Sequence, residues 1–335
     1  MKKYVNLFVF VFMVGTCFSQ GKAQTKSAVS YKNPVVDIAM PDPTVIKAAD
    51  GYFYVYATES TRNVPIMKSK DLVEWTYCNT AFTNKTRPRF EPKAGIWAPD
   101  INYINGKYVL YYAMSVWGGE QTCGIGVATA NSPQGPFTDH GKMFRSNEIG
   151  VQNSIDPSLL QYEGRNYLVW GSFRGIYVIE LTADGLSIMS GAKKKRIAGT
   201  AFEAVYIHKH GDYYYMFASI GSCCQGVKST YKVVVGRSKK VWGPYKDKTG
   251  KPMLKNGYSL VIGANDHFVG NGHGSQIIQD DAGQDWLLYH GFSRSTPENG
   301  RILLLDQIKW DQEGWPYVEG GSPSYETQKA PVFNN

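Results

Sequence analysis

Residues 202–220 read FEAVYIHKHGDYYYMFASI: a glutamate, a short apolar strand, a Gly-Asp turn and a second strand rich in aromatics. Apolar and aromatic runs of this length bounded by turn residues are the signature of paired strands. The plan recurs along the chain. PDPTVIKAADGYFYVYATES (41–60), APDINYINGKYVLYYAMS (98–115), IDPSLLQYEGRNYLVWGSF (155–173) and HGSQIIQDDAGQDWLLYHGF (273–292) each place a polar residue before a strand, a Gly-containing turn and an aromatic strand. The leading residues are Asp42, Asp100, Asp156, Glu203 and His273, separated by 58, 56, 47 and 70 positions.

Between these units lie further strand-like pieces, IMKSKDLVEWTY, GIGVATANSPQGPF, GIYVIELTADG, KVVVGRSKKVWGPY and RILLLDQIKWDQEGWPYV, which would supply a third and fourth strand to each. Four strands repeated radially form a propeller, an arrangement that leaves only short sheet edges. The expected fold is an all-β, five-bladed β-propeller over residues 31–330. With 35 Gly, 23 Tyr and 8 Trp in 335 residues, the composition suits short strands and tight turns rather than long helices. If each first strand lies nearest the axis, the leading residues gather at one mouth of the central channel. One Asp-Pro is ordinarily a turn cap. Several carboxylates in register around a cavity are costly to desolvate and point to a function.

Outside this domain, Lys2 and Lys3 precede an apolar run from Val5 to Cys17 and then small polar residues. Residues 1–23 read as an export signal, with cleavage after Ser19 or Ala23, and 24–30 as a short linker. The run is too short for a membrane span. A periplasmic or secreted protein is the first reading, and a lipid anchor on Cys17 the second. Cleavage removes Lys2, Lys3 and Lys22, so the net charge falls from +8 to +5. KKKR (193–196) is the one basic cluster, too small for a nucleic-acid footprint. Cys78, Cys123, Cys223 and Cys224 form neither a disulfide framework nor a zinc pattern. Adjacent Cys223 and Cys224 are expected as thiols on a loop.

The stretches DPTVI (42), GIWAPDI (95), NSIDPSL (153), FEAVYI (202), SCCQGVKSTYKVVVGRSKKVWGPY (222) and GHGSQI (272) resemble glycoside hydrolase family 43, and most of all its arabinan-degrading endo-1,5-α-L-arabinanases. The resemblance covers residues 31–323. It implies a five-bladed propeller and inverting hydrolysis by two carboxylates with a third that tunes the acid. By the same resemblance Asp42 is the general base, Glu203 the general acid and Asp156 the modulator. Trp97 would stack on sugar, with a core tryptophan as the structural alternative, and Asn153 and Ser172 would meet substrate hydroxyls. His273 would help hold a calcium-type ion on the channel axis. No organic cofactor is implied. The implied partner is a plant cell-wall polysaccharide, arabinan or a related pentosan, acted on by a monomer. EAVYI, where Pro often follows EA, and GNGH, where GPGH is usual, depart from the family pattern and bear on loop shape. Exo-acting arabinofuranosidases and β-xylosidases of the same family, fructan or sucrose hydrolases that retain configuration, and non-catalytic sugar-binding propellers are the rival readings.

Overall fold

The computed structural model describes Met1 and residues 29–334. The export signal, and the linker as far as residue 28, lie outside the described residues. Among the described residues five antiparallel sheets, four of them four-stranded and the fifth six-stranded, form the blades of a β-propeller, with a separate two-stranded pair. Blade one comprises Thr44–Lys47, Phe53–Tyr56, Pro65–Ser69 and Thr76–Thr80, and blade two Gly95–Ile104, Lys107–Ser115, Gly124–Ala130 and Thr138–Arg145. Blade three comprises Ser158–Tyr162, Arg165–Trp170, Ile176–Glu180 and Lys195–Ala198, and blade four Glu203–His210, Tyr213–Ile220, Lys232–Ser238 and Ser259–Ile262. Residues 203–220 are therefore the inner hairpin of blade four, with His210 opposite Tyr213 across the Gly211-Asp212 turn. In blade two the corresponding turn is Asn105-Gly106, both residues at positive φ, as a two-residue hairpin loop demands.

The second strand of each blade explains the aromatic runs. Successive side chains of a strand face opposite sides of its sheet, and in a propeller both sides are covered. In blade two, Val109 and Tyr111 pack toward blade three while Leu110 and Tyr112 pack toward blade one. Blade four divides in the same way, Met216 and Ala218 toward blade three and Tyr215 and Phe217 toward blade five. Five apolar clusters thus fill the five gaps between blades. A strand buried on both faces reads as an unbroken apolar run.

Blade five departs from the sequence expectation. Its inner edge is Phe268–Gly272, resumed at Ile278–Gln279, followed by Asp285–Ser293 and Ile302–Trp310. The outer seat is taken by Val36–Ala39 from the beginning of the domain, with Val36 opposite Leu303, and the expected fourth strand is reduced to Pro316–Tyr317. Closing the ring with an early strand joins the first and last blades and leaves no gap between them. Ser30–Tyr31 pairs with Gln328–Lys329 just outside this closure.

One backbone feature fixes where the side chains of the mouth point. At the entrance of each innermost strand a single non-glycine residue adopts left-handed backbone: Asp42 (φ 54°), Ala98 (φ 42°), Asp156 (φ 56°), Ala204 (φ 53°) and His273 (φ 51°). Such conformations cost about 1–3 kcal/mol each, so five in equivalent places are sustained by the packing around them. They also reset the alignment of the repeats. Asp100 lies two residues beyond the equivalent position, deeper along the axis, and Glu203 lies one residue before it.

Candidate active site

Asp42, Trp97, Asn153, Asp156, Ser172, Glu203 and His273 all line one cleft of about 720 Å³ at the mouth of the propeller. Asp100 does not. It lies beneath, beside an axial cavity of about 20 Å³, where it accepts hydrogen bonds from Gln276 (2.6 Å), Asn102 (2.7 Å) and the Leu159 N–H (2.7 Å). Asp100 therefore ties blades two, three and five together, and burial pushes its carboxyl up to about 7.

The two outermost carboxylates of the expected trio have opposite surroundings. Asp42 accepts Arg301 Nη1 at 2.7 Å and Thr58 Oγ1 at 2.6 Å, and His273 Nδ1 lies 3.2 Å from its Oδ1. Burial alone would raise its pKa, but Arg301 and His273 outweigh it and hold the group well below the usual carboxylate range. The Asp42 backbone N–H donates to His290 Nδ1 at 3.0 Å, so that nitrogen carries no proton, and burial with Arg301 nearby keeps His290 neutral.

Among the described residues no Lys or Arg pairs with Glu203, and the nearby charge of His273 pulls its pKa down less than burial and Asp156 push it up. Its Oε2 accepts the Ser172 hydroxyl at 2.6 Å, and Ser172 in turn accepts from Asn153 Nδ2 at 2.9 Å. Burial, then the charge of Asp156, push Glu203 up to about 7. Asp156 is raised as well, first by burial and then by Asp42, against the pull of His273. Its Oδ2 accepts the N–H of Ala204, the residue after Glu203, at 3.0 Å. The negative charge of all three carboxyls raises the pKa of His273 against the effect of its burial.

Trp97 is a wall of the cleft rather than a core residue. Its ring lies 5.5 Å from that of Trp117, which is 79% exposed. The neighbouring backbone is braced to the acid site, because the Ala98 N–H donates to the same Thr58 hydroxyl that binds Asp42. Ser172 is only 1% exposed, with its hydroxyl committed to Glu203. Cys223 and Cys224, expected as thiols, are joined in a disulfide that lines the cleft. The bond joins adjacent residues in the loop that follows Ile220, and Trp97 and Trp117 line the same cleft.

Sequence reasoning missed Arg301, Thr58, His290, Tyr231 and Trp117. Arg301 carried a usable signal, since NGRILLLD places one charge ahead of an apolar strand just as FEAVYI does. Tyr231, buried and stacked on His290 at 5.6 Å, lines the cleft together with Glu203.

Residues 31–316 match the model of the family described as glycosyl hydrolases family 43. The chain belongs to that family. It is accordingly a glycoside hydrolase, and relatives with characterised names agree. The chain is 36% identical over 306 residues to the extracellular exo-α-(1→5)-L-arabinofuranosidase ArbA of Cellvibrio japonicus, covering 83% of this chain and 86% of the relative. It is also 36% identical over 289 residues to the extracellular endo-α-(1→5)-L-arabinanase 1 of Bacillus subtilis, covering 82% and 86%. Among solved structures, the α-L-arabinanase of Cellvibrio cellulosa complexed with arabinohexaose superposes with a TM-score of 0.77 at 33% identity, over 85% of this chain and 96% of that one. Family 43 membership thus rests on the whole propeller and not on one motif.

Proposed function

We propose that the protein hydrolyses α-1,5-linked L-arabinofuranosyl bonds in arabinan with inversion of configuration. The carrying observation is the opposed surroundings of two carboxyls in one cleft: Asp42 meets Arg301 and His273, which favour its ionised form, while Glu203 is buried beside Asp156, which favours its protonated form. An inverting hydrolysis needs that pair, one group to protonate the departing oxygen and one to activate water on the opposite face of the sugar. Glu203 is the general acid and Asp42 the general base. Asp156 raises the acid's pKa through its like charge. Ser172, held by Asn153, orients the Glu203 carboxyl, and Asn153, partly exposed in the cleft, is also placed to meet a sugar hydroxyl. Trp97 and Trp117 offer aromatic faces to the apolar side of a pentose ring.

The names of the relatives support arabinan as substrate and an extracellular setting. No helix among the described residues is long and apolar enough to cross a membrane. We assign internal cleavage as the mode, with release of single terminal residues as the alternative carried by the exo-acting relative. Chromatography of early products from linear 1,5-arabinan, beside xylan and nitrophenyl pentosides, tests the assignment. A ladder of arabino-oligosaccharides is expected. One short product growing from the first time point overturns internal cleavage, and turnover confined to xylan overturns the substrate.

His273 faces both the cleft and the axial cavity, among the carboxyls of Asp42, Asp156 and Glu203. One imidazole with oxygen donors and negative charge around it fits a hard cation in kind. In number, the protein supplies His273 as the one direct ligand, and water would complete the shell. An ion held there would favour the ionised forms of Asp42 and Asp156. Treatment with a chelator is then expected to lower turnover and move the acidic limb of the pH–rate profile upward, with the fold intact. Unchanged activity in chelator, together with elemental analysis that finds no ion, leaves His273 as a partner of Asp42 alone.

A further inference from the structure

A second group of metal-ligating side chains lies at the other end of blade four. His208 and His210 alternate along the innermost strand Glu203–His210 and so share one face of it. Asp285 opens the second strand of blade five and meets them across the gap between the blades. One ligand atom from each lies within 4.8 Å of the others, and His210 Nδ1 is 3.7 Å from Asp285 Oδ2. Five residues of strand separate Glu203 from His208, about 17 Å at the usual rise. The group is therefore distinct from the cleft.

We propose that His208, His210 and Asp285 form a binding site for one divalent transition cation of the zinc class, pinning blade four to blade five on the face opposite the cleft. Two imidazoles and one carboxylate are a donor set suited to zinc, with water in a fourth position. Tetrahedral ligands at zinc distances stand about 3.3 Å apart, so side-chain rotations of about 1 Å close the site. The carboxylate is already oriented by outer partners: Trp310 Nε1 donates to Asp285 Oδ2 at 2.8 Å and Gln279 Nε2 to Oδ1 at 3.2 Å. Each oxygen keeps a free lone pair. Such outer hydrogen bonds are what hold ligands in place at metal centres. Trp310 also stacks flat on the His210 ring, at 3.7 Å and 7°, which fixes the plane in which its nitrogens point. His210 is 38% exposed and provides the way in.

The test is zinc titration of the chelator-stripped full-length chain by calorimetry, with thermal unfolding followed in parallel. One zinc per chain is expected at this site, with a raised Tm. Because loss of an outer partner alone typically weakens metal affinity about 10–100-fold, His208→Ala and His210→Ala are each expected to weaken binding at least about 10-fold and to abolish the Tm rise. Trp310→Phe, which keeps the stacking and loses the donor, should weaken it within that range. His273→Ala should leave zinc affinity unchanged, which separates this site from the channel axis. His210→Ala carries the decision if His208→Ala fails to fold. No zinc binding by the parent chain, or equal affinity in His210→Ala, overturns the proposal.

Discussion

Glu203→Gln is expected to lower kcat by roughly two to four orders of magnitude, the scale contributed by a positioned general acid or base, with no loss of thermal stability. The amide keeps the shape of the side chain and can still accept the Ser172 hydroxyl, but has no proton of carboxyl acidity for the leaving oxygen. Stability should even rise at neutral pH. A carboxyl whose pKa goes from 4.5 to about 7 on folding binds more protons folded than unfolded between those values, so it lowers stability as pH rises through that window. The glutamine does not titrate and removes that slope. Asp42→Asn should lose kcat on the same scale, with some stability lost because Arg301 and His273 are left facing a neutral group. Steady-state kinetics with thermal unfolding at pH 5 and pH 7 check both variants. Turnover near that of the parent removes the residue from its assigned role.

The pH–rate profile should be a bell whose alkaline limb reports the Glu203–Asp156 pair. On the proposed roles, activity requires Asp42 ionised and Glu203 protonated. Because Asp42 is held far down, the acidic limb lies at low pH; because Glu203 is pushed up to about 7, activity falls as pH rises through that region. The pair interacts, so the limb gives an apparent value for both groups together. In Asp156→Asn the like charge beside Glu203 is gone, and the alkaline limb should move to lower pH while the acidic limb stays. The shift distinguishes tuning from mere support of the Ala204 backbone, since an asparagine oxygen can still accept that N–H. An unmoved alkaline limb in Asp156→Asn would show that burial alone sets the acid.

The blades were legible because their signals are local. Each inner hairpin carries its own turn, and each doubly covered strand its own apolar run, so the repeat of 41–60, 98–115, 155–173, 203–220 and 273–292 could be read without any long-range contact. The register within the repeat was less legible. Asp100 matched the other acids by type, yet the left-handed residue that sets equivalence in blade two is Ala98, and nothing in APDI marks alanine for that conformation. The closing strand at Val36–Ala39 is four residues whose partner lies near position 302. Arg301 reaches Asp42 across 259 positions, and Thr58 and His290 meet it only once the ring is closed. The Cys223–Cys224 bond depends on the turn that carries it, which the composition of the loop did not reveal.

In the proposed mechanism Glu203 and Asp42 work on opposite faces of the sugar in a single displacement. Proton NMR of the anomeric signals during the first minutes of hydrolysis of linear 1,5-arabinan tests it most directly. The newly released reducing end is expected to appear first as the β-anomer, inverted from the α-linkage, and only later to equilibrate by mutarotation. First appearance of the α-anomer would mean a covalent intermediate and retention, and would contradict the assignment of Asp42 as a base acting through water.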